Sequence, residues 1–422
     1  MVPVMISFIQ KILSYEGMIE AFKYQFFVWI LAAIAIYYLF DSLSFEHFII
    51  PLLIVSSFAI IISKYRLRNI EYLLFFIISI TSLLGFTETL TGFYAESTNA
   101  LFFGLSFYSA SMAYLIAQKR FGYQSVLAIS NPLLLSTGPI ALFFRNVSYK
   151  SLRKRIEYFF PFIIVGTFMF QIVGSPLTEF FFLIESTDVV SSFTFAAIFE
   201  IFVYANFCGL SLMIYGLFGL FGYRIPLNFN QPFSSSNIIE FWRGWHTSLS
   251  QVLKILFYEP LRKKRPLFIA LVGTYLASAM WHGVTLNFLL WGLFHASFFW
   301  LSIRLLKGNY SLLPILLMPF IIILGRLLFA ENDTERLFEK LTFSFNGFDV
   351  FTELSSVPML SKVALLFGVA LIASEFIFKN TKIMRKRNYK FLRIPLSLFL
   401  LCGLGVLFAS NMGVDYAIYG QR

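Results

Sequence analysis

The chain has 422 residues, 58% of them hydrophobic and 13% charged, with a mean hydropathy of +0.77. A soluble domain carries about 25% charged residues, so this composition excludes an ordinary water-soluble globule and places the chain in a bilayer. The net charge of +11 does not signal nucleic acid, because the basic residues fall in short runs between apolar segments: Lys64 to Arg68, Lys150 to Arg155, Arg262 to Arg265 and Lys379 to Arg393. Cytoplasmic loops look like this under the positive-inside rule, and such loops meet anionic lipid headgroups.

A spanning helix needs about 20 mostly apolar residues. In chain order the runs 24–40, 48–64, 73–90, 100–118, 157–174, 190–206, 207–222, 266–282, 284–303, 311–330, 362–378 and 391–410 meet or approach that length. The expected fold is therefore all-α: a polytopic membrane bundle of roughly ten to twelve spans with short interfacial or re-entrant helices, read as one domain over residues 1–422. The first twenty residues hold Lys11 and Glu16 without the pattern of a cleaved signal peptide. Cys208 and Cys402 both lie in apolar runs and support neither a disulfide framework nor a Cys-ligated zinc. His47, beside Glu46, reads as a loop residue.

Two longer polar stretches interrupt the pattern, 223–265 and 331–361. In the second, Asp333 or Thr334 is placed to cap a short surface helix. In the first, Ile238, Phe241, Trp242, Trp245, Leu249, Val252, Leu253 and Leu256 recur at helical spacing, which predicts an amphipathic interfacial or cavity-lining helix at about 237–257. Arg243, His246, Thr247, Ser250 and Lys254 fall on its opposite face. Asn237 with Glu240 reads as its N-terminal cap, and Pro260 follows its end.

Three of the four histidines cluster here: His246, His282 and His295. Two of them follow a tryptophan, in Trp245-His246 and Trp281-His282. After Gly283, which permits a bend or close packing, Asn287, Trp291 and His295 recur every four residues on one face. His282 and His295 are about 220° apart on an ideal helix, so they share no face unless the chain breaks between them. A membrane histidine is costly unless paired or facing a cavity, and its ordinary pKa suits a general base. The bland alternative for each is a hydrogen bond between helices. A zinc site is a weaker fit, because the histidines lie 36 and 13 residues apart with no acidic residue between Pro266 and Phe329. A serine nucleophile lacks a G-x-S-x-G elbow. Trp245, Trp281 and Trp291 are candidates for a substrate tunnel, and the basic run 261–265 for a phosphate-bearing acyl donor.

The distributed text resembles the membrane-bound O-acyltransferase (MBOAT) family, in its branch of bacterial polysaccharide O-acetylases. The resemblance is carried by Gly104-Leu-Ser-Phe-Tyr108 with Tyr114, by Asn131-Pro132 through Gly138-Pro139-Ile140, and by Phe221 to Asn230 with Pro232-Phe233. It continues in Phe241-Trp-Arg-Gly-Trp-His-Thr-Ser-Leu-Ser250, in Tyr258-Glu-Pro-Leu261, and in Trp281-His-Gly283 with Asn287, Trp291-Gly292 and His295. Together these cover residues 100–300 in family order. The resemblance implies that His282 is the principal catalytic histidine and His246 the second functional one. It places Trp281, Asn287, Trp291, His295, Trp245, Arg243, Ser250 and Lys254 around a passage through the bundle.

It further implies attack of an acceptor hydroxyl on a thioester carbonyl, with no bound cofactor and no metal. The donor would be acyl-CoA (acetyl-CoA foremost) or an acyl carrier protein reached from the cytoplasm, the acceptor an envelope polysaccharide. An extracytoplasmic acetyltransferase or esterase-like partner and a bacterial cytoplasmic-membrane location belong to the same expectation. Leu212 and Ile255 stand where the family often has an acid, and Arg262-Lys263 where it has glycines. D-alanyl transfer from a carrier protein to teichoic acid is the alternative within the family. A polysaccharide flippase is the alternative outside it, weakened by the absence of inverted repeats.

Overall fold

The computed structural model describes residues 151–380, with 110–118 and 145–146, apart from a few positions inside those ranges. The expected spans at 24–40, 48–64, 73–90 and 391–410, the motif text at 104–108 and 131–140, His47 and Cys402 lie outside the described residues.

A two-residue strand β1 (Arg145–Asn146) is followed by α1 (Leu152–Thr167), capped by the Ser151 side chain. The helix runs on through a π-helical turn (Phe168–Gly174) and a 3-10 segment (Ser175–Glu185), giving 34 continuous helical residues. Then comes α2 (Val189–Leu220), whose first turn is capped by Asp188 through the Val190 amide at 2.8 Å. The expectation of two spans at 190–206 and 207–222 is corrected: they are one 32-residue helix. Gly209 alone does not break it, and at about 48 Å it exceeds the hydrocarbon thickness. It is apolar all round and buried around most of its surface, as a central helix must be. Gly166 of α1 and Gly209 of α2 face each other so closely that a Cβ on either would strike the other's carbonyl. Small residues let backbones approach in just this way in membranes.

β2 (Tyr223–Arg224) pairs antiparallel with β1. A 3-10 turn (Pro232–Ser234) leads into α3 (Ile238–Gly244) and α4 (Thr247–Leu253), then a π-helical turn (Lys254–Tyr258) and α5 (Glu259–Lys264). The remaining elements are α6 (Leu267–His282), α7 (Leu286–Lys307), α8 (Leu312–Ala330), α9 (Thr334–Lys340), α10 (Val350–Ser356) and α11 (Met359–Asn380). Among the described residues, four helical stretches are long and apolar enough to cross a membrane: 152–185, α2, α7 and α11. α6 and much of α8 are shorter apolar helices.

Hydrogen bonds fix which helix ends lie together. Arg336 and Lys340 of α9 both pair with the fully buried Glu331, Arg336 also with Glu185, and Lys340 donates to the Ile184 carbonyl. Burial is the largest influence on Lys340 and lowers its pKa against the opposing pull of Glu331. Asp333, as expected, caps α9 through the Arg336 amide at 2.9 Å, a bond that holds its carboxyl below the usual range. Asn346 donates to Asp188, and Asn287 at the start of α7 donates to the Phe329 carbonyl and to Asn332.

One end of the bundle thus gathers the ends of the 152–185 helix, α6 and α8 with the starts of α2 and α7, and it is rich in acid: Glu185, Asp188, Glu331, Asp333, Glu335. The opposite end holds the start of α1, α5 and the end of α7, with Arg153, Lys154, Arg262 to Arg265, Arg304 and Lys307.

Candidate functional site

The expected amphipathic helix over 237–257 is corrected to two short helices meeting at His246. The cap is as anticipated: the Glu240 amide donates to Asn237 Oδ1 at 3.0 Å, and Glu240 in turn accepts from the Ser236 amide. After Gly244, however, the chain turns. His246 adopts φ 42°, ψ 54°, a left-handed conformation uncommon for a residue with a Cβ.

The segment 228–230 holds the turn from both sides. The Asn230 amide donates to the Gly244 carbonyl and the Thr247 amide to the Asn228 carbonyl, both at 2.8 Å. Ser248 Oγ donates to Asn228 Oδ1 at 2.6 Å. A Cβ at position 244 would meet the Asn230 carbonyl, so glycine is required there. Pro260 does not terminate a helix; it sits in the first turn of α5, where a missing N–H costs little.

The His246 ring itself caps α4, its Nδ1 accepting from the Leu249 amide at 3.4 Å. A neutral imidazole accepting at Nδ1 carries its proton on Nε2. A backbone amide therefore orients His246 here. Ile255 and Leu212 pack against the hydrophobic core.

His246 packs edge-on against Phe207 (4.6 Å between centroids) and Trp281 (6.0 Å). Trp281 touches His282 in turn (4.8 Å), and His282 lies against Phe329 (4.9 Å) and Trp291 (5.9 Å). Gly283 ends α6, and a Cβ there would enter the Phe288 ring, so close packing is its role.

These groups wall a cavity of about 620 Å³, in the range of small-molecule sites. Lys254 and Tyr258, next to α5, stand at the basic end of the bundle; Thr274, Tyr275 and Ser278 line the middle; His246, Trp281, His282, Arg326 and Phe329 line the far end, and Arg243 lines the wall at the end of α3. From Leu271 to His282 the cavity follows about 16 Å of α6. Arg243 and Lys254 are exposed, and Lys254 is 3.8 Å from Glu259.

Of the sequence-predicted residues, Arg243, Trp245, His246, Ser250, Lys254, Trp281, His282 and Trp291 all line this one cavity. Asn287 and His295 stand behind the wall. Asn287 ties α7 to the end of α8 and so fixes Phe329. His295 packs on Trp242 and Trp291, each 4.9 Å between centroids, and fills the space over Gly325.

Two buried acids and an arginine escape a search for histidines. Arg326 of α8 lines the cavity and is ion-paired with Glu200 of α2. Glu375 of α11 accepts from the Tyr204 hydroxyl and from the Phe233 amide (2.9 Å), pinning the 3-10 turn against Trp245. The signal was present in each case: a lone charge inside an apolar run is a functional hypothesis by the rule that singled out the histidines.

The described residues thus form a helical bundle with four helices long and apolar enough to cross a membrane and a histidine-lined cavity. Residues 123–308, a little under half of the chain, match the model of MBOAT, the membrane-bound O-acyltransferase family. That match takes in both Trp-His pairs, Asn287, Trp291 and His295.

Among curated proteins it is 34% identical over 134 residues to a probable alginate O-acetylase of Azotobacter vinelandii, covering 31% of this chain and 26% of that protein. It is 37% identical over 97 residues to a peptidoglycan O-acetyltransferase of Helicobacter pylori, covering 22% and 18%. It is 24% identical over 225 residues to a teichoic acid D-alanyltransferase of Bacillus subtilis, covering 46% and 57%. The matches therefore span about a fifth to a quarter of the two acetyl-transfer relatives and just over half of the D-alanyltransferase.

Proposed function

We propose that this chain is an integral-membrane O-acyltransferase that moves an acyl group, acetyl foremost, from a cytoplasmic thioester to a hydroxyl of an envelope polysaccharide or to a partner protein that acylates it. The observation that carries this reading is the single cavity joining the two Trp-His pairs, 36 residues apart in sequence, to a basic mouth.

In this reading the basic end of the bundle faces the cytoplasm by the positive-inside rule. The phosphates of a CoA or carrier-bound pantetheine meet Arg243 and Lys254, and the acyl-thioester end reaches the histidines. His282 is the general base that takes the acceptor's proton. His246, protonated on Nε2, donates a hydrogen bond within the same pocket. The apolar walls exclude water and so spare the thioester from hydrolysis.

The enclosing fold in this reading is one membrane domain of roughly ten to twelve spans in a bacterial cytoplasmic membrane. The acceptor, or an extracytoplasmic partner that receives the acyl group, approaches at the acidic end.

The D-alanyl alternative draws support from the length of the match to the D-alanyltransferase. Purified protein offered acetyl-CoA or an aminoacyl carrier protein, with free thiol followed, separates the two. Release from acetyl-CoA supports acetyl transfer, release only from the carrier supports the alternative, and release from neither overturns both.

A further inference from the structure

We infer that Arg326 is a catalytic residue of the acyl transfer proposed above, donating hydrogen bonds to the thioester carbonyl oxygen as negative charge develops on it; the inference rests on that reading.

Arg326 is 9% exposed and sits within α8, a helix otherwise without charge. Its Nε donates to Glu200, itself 3% exposed on α2. Its guanidinium carbon lies 5.4 Å from the centre of the Trp245 ring and 5.3 Å from that of Phe329. The ion pair and the two rings fix the guanidinium plane on three sides. The Phe329 ring that it meets is the one packed 4.9 Å from His282, so the cation stands one ring away from the proposed base and on the same cavity.

A guanidinium has five N–H donors in a rigid fork. Glu200 uses the one on Nε, and the Nη groups make no hydrogen bond among the described residues. Neutralised by Glu200, Arg326 offers directed donors without the cost of an unpaired buried charge, and in a water-excluded site such donors act strongly. Anchoring of an anionic acceptor fits less well. The cation is already paired, and the adjacent end of the bundle, with Glu185, Asp333 and Glu335, repels anions.

In the step, the acceptor hydroxyl oxygen bonds to the carbonyl carbon while His282 takes its proton. The carbonyl π electrons move onto the oxygen held by Arg326. When the carbonyl re-forms, the C–S bond breaks, and the departing thiolate takes the proton from the imidazolium to leave as thiol.

The test compares wild type, Arg326→Lys and the charge-neutral pair Glu200→Gln/Arg326→Met, purified in detergent, on whichever of acetyl-CoA or charged carrier protein wild type turns over. Thermal melting and size-exclusion profiles check folding, and the double variant decides the matter if the single one unfolds. Removing one such donor costs about 10²–10³ in kcat. The expected result is a loss of that size in the double variant, with donor KM within about threefold of wild type, and a smaller loss in Arg326→Lys. A folded double variant with kcat within about threefold of wild type overturns the inference, as does a rise in KM alone. Wild type without turnover on either donor overturns the acyl-transfer reading, and this inference with it.

Discussion

The Trp281 ring stands between His246 and His282, 6.0 Å from one imidazole and 4.8 Å from the other, centroid to centroid. It is buried, at 4% exposure, and its contacts join the α3–α4 turn to the end of α6. The two Trp-His pairs are thus one packed unit, in which the tryptophan of the second pair spaces the two histidines.

That spacing is testable. Trp281→Phe keeps an aromatic wall and is expected to retain acyl transfer within about tenfold. Trp281→Ala leaves a cavity costing about 3–5 kcal/mol of stability and lets the histidines drift, so activity falls far more. Thermal melts and initial rates on both variants check this.

The left-handed backbone at His246 supplies a second prediction. His246→Gly suits φ 42° better than any residue with a Cβ, so the variant should be as stable as His246→Ala or more so. Both lose the imidazole, and their rates should fall together by about a hundredfold. Asn228→Ala instead keeps the ring and removes the side chain that accepts from Ser248. It should cost about 1–3 kcal/mol and lower the rate by misplacing His246. Melting and single-turnover rates on the three variants distinguish a missing ring from a displaced one.

This turn also marks where the sequence stops being sufficient. Helical periodicity runs unbroken through 237–257, yet the cavity is lined from both of the faces it defines, by Trp242, Trp245, Leu249 and Leu253 as well as by Arg243, Ser250 and Lys254. The break at Trp245-His246 comes from hydrogen bonds donated and accepted by Asn228 and Asn230, and from the close approach at Gly244. Spacing within the helix carries none of that. The shared face of Asn287, Trp291 and His295 was legible because α7 is regular there; that His295 packs behind Trp242 depends on tertiary packing. The boundary placed between residues 206 and 207 had only span length behind it, and the continuous α2 shows that an apolar run has no internal length marker.

The Glu200–Arg326 pair makes a stability prediction of its own. Arg326→Met alone leaves a buried carboxylate without its cation and should cost about 3–5 kcal/mol. Adding Glu200→Gln should recover most of it, because removing both charges together is often nearly neutral. Denaturation of the purified variants in matched detergent reads the difference.

Exposed cations lining the cavity should govern donor capture. Arg243→Glu with Lys254→Glu removes two exposed cations, each worth about 0.5–1 kcal/mol toward a phosphate-bearing donor. KM for that donor should rise roughly five- to thirtyfold with kcat little changed. Added salt should raise the wild-type KM and narrow the gap, since exposed charges are screened. Steady-state kinetics at low and high ionic strength check both effects.

The most direct measurement is single-turnover release of free thiol from acyl donor by purified wild type and His282→Ala, with folding verified by melting and size-exclusion. The account predicts a wild-type burst and a loss of about 10²–10⁴ in rate for His282→Ala, the range for a positioned general base. Thiol release at the wild-type rate by well-folded His282→Ala would contradict it.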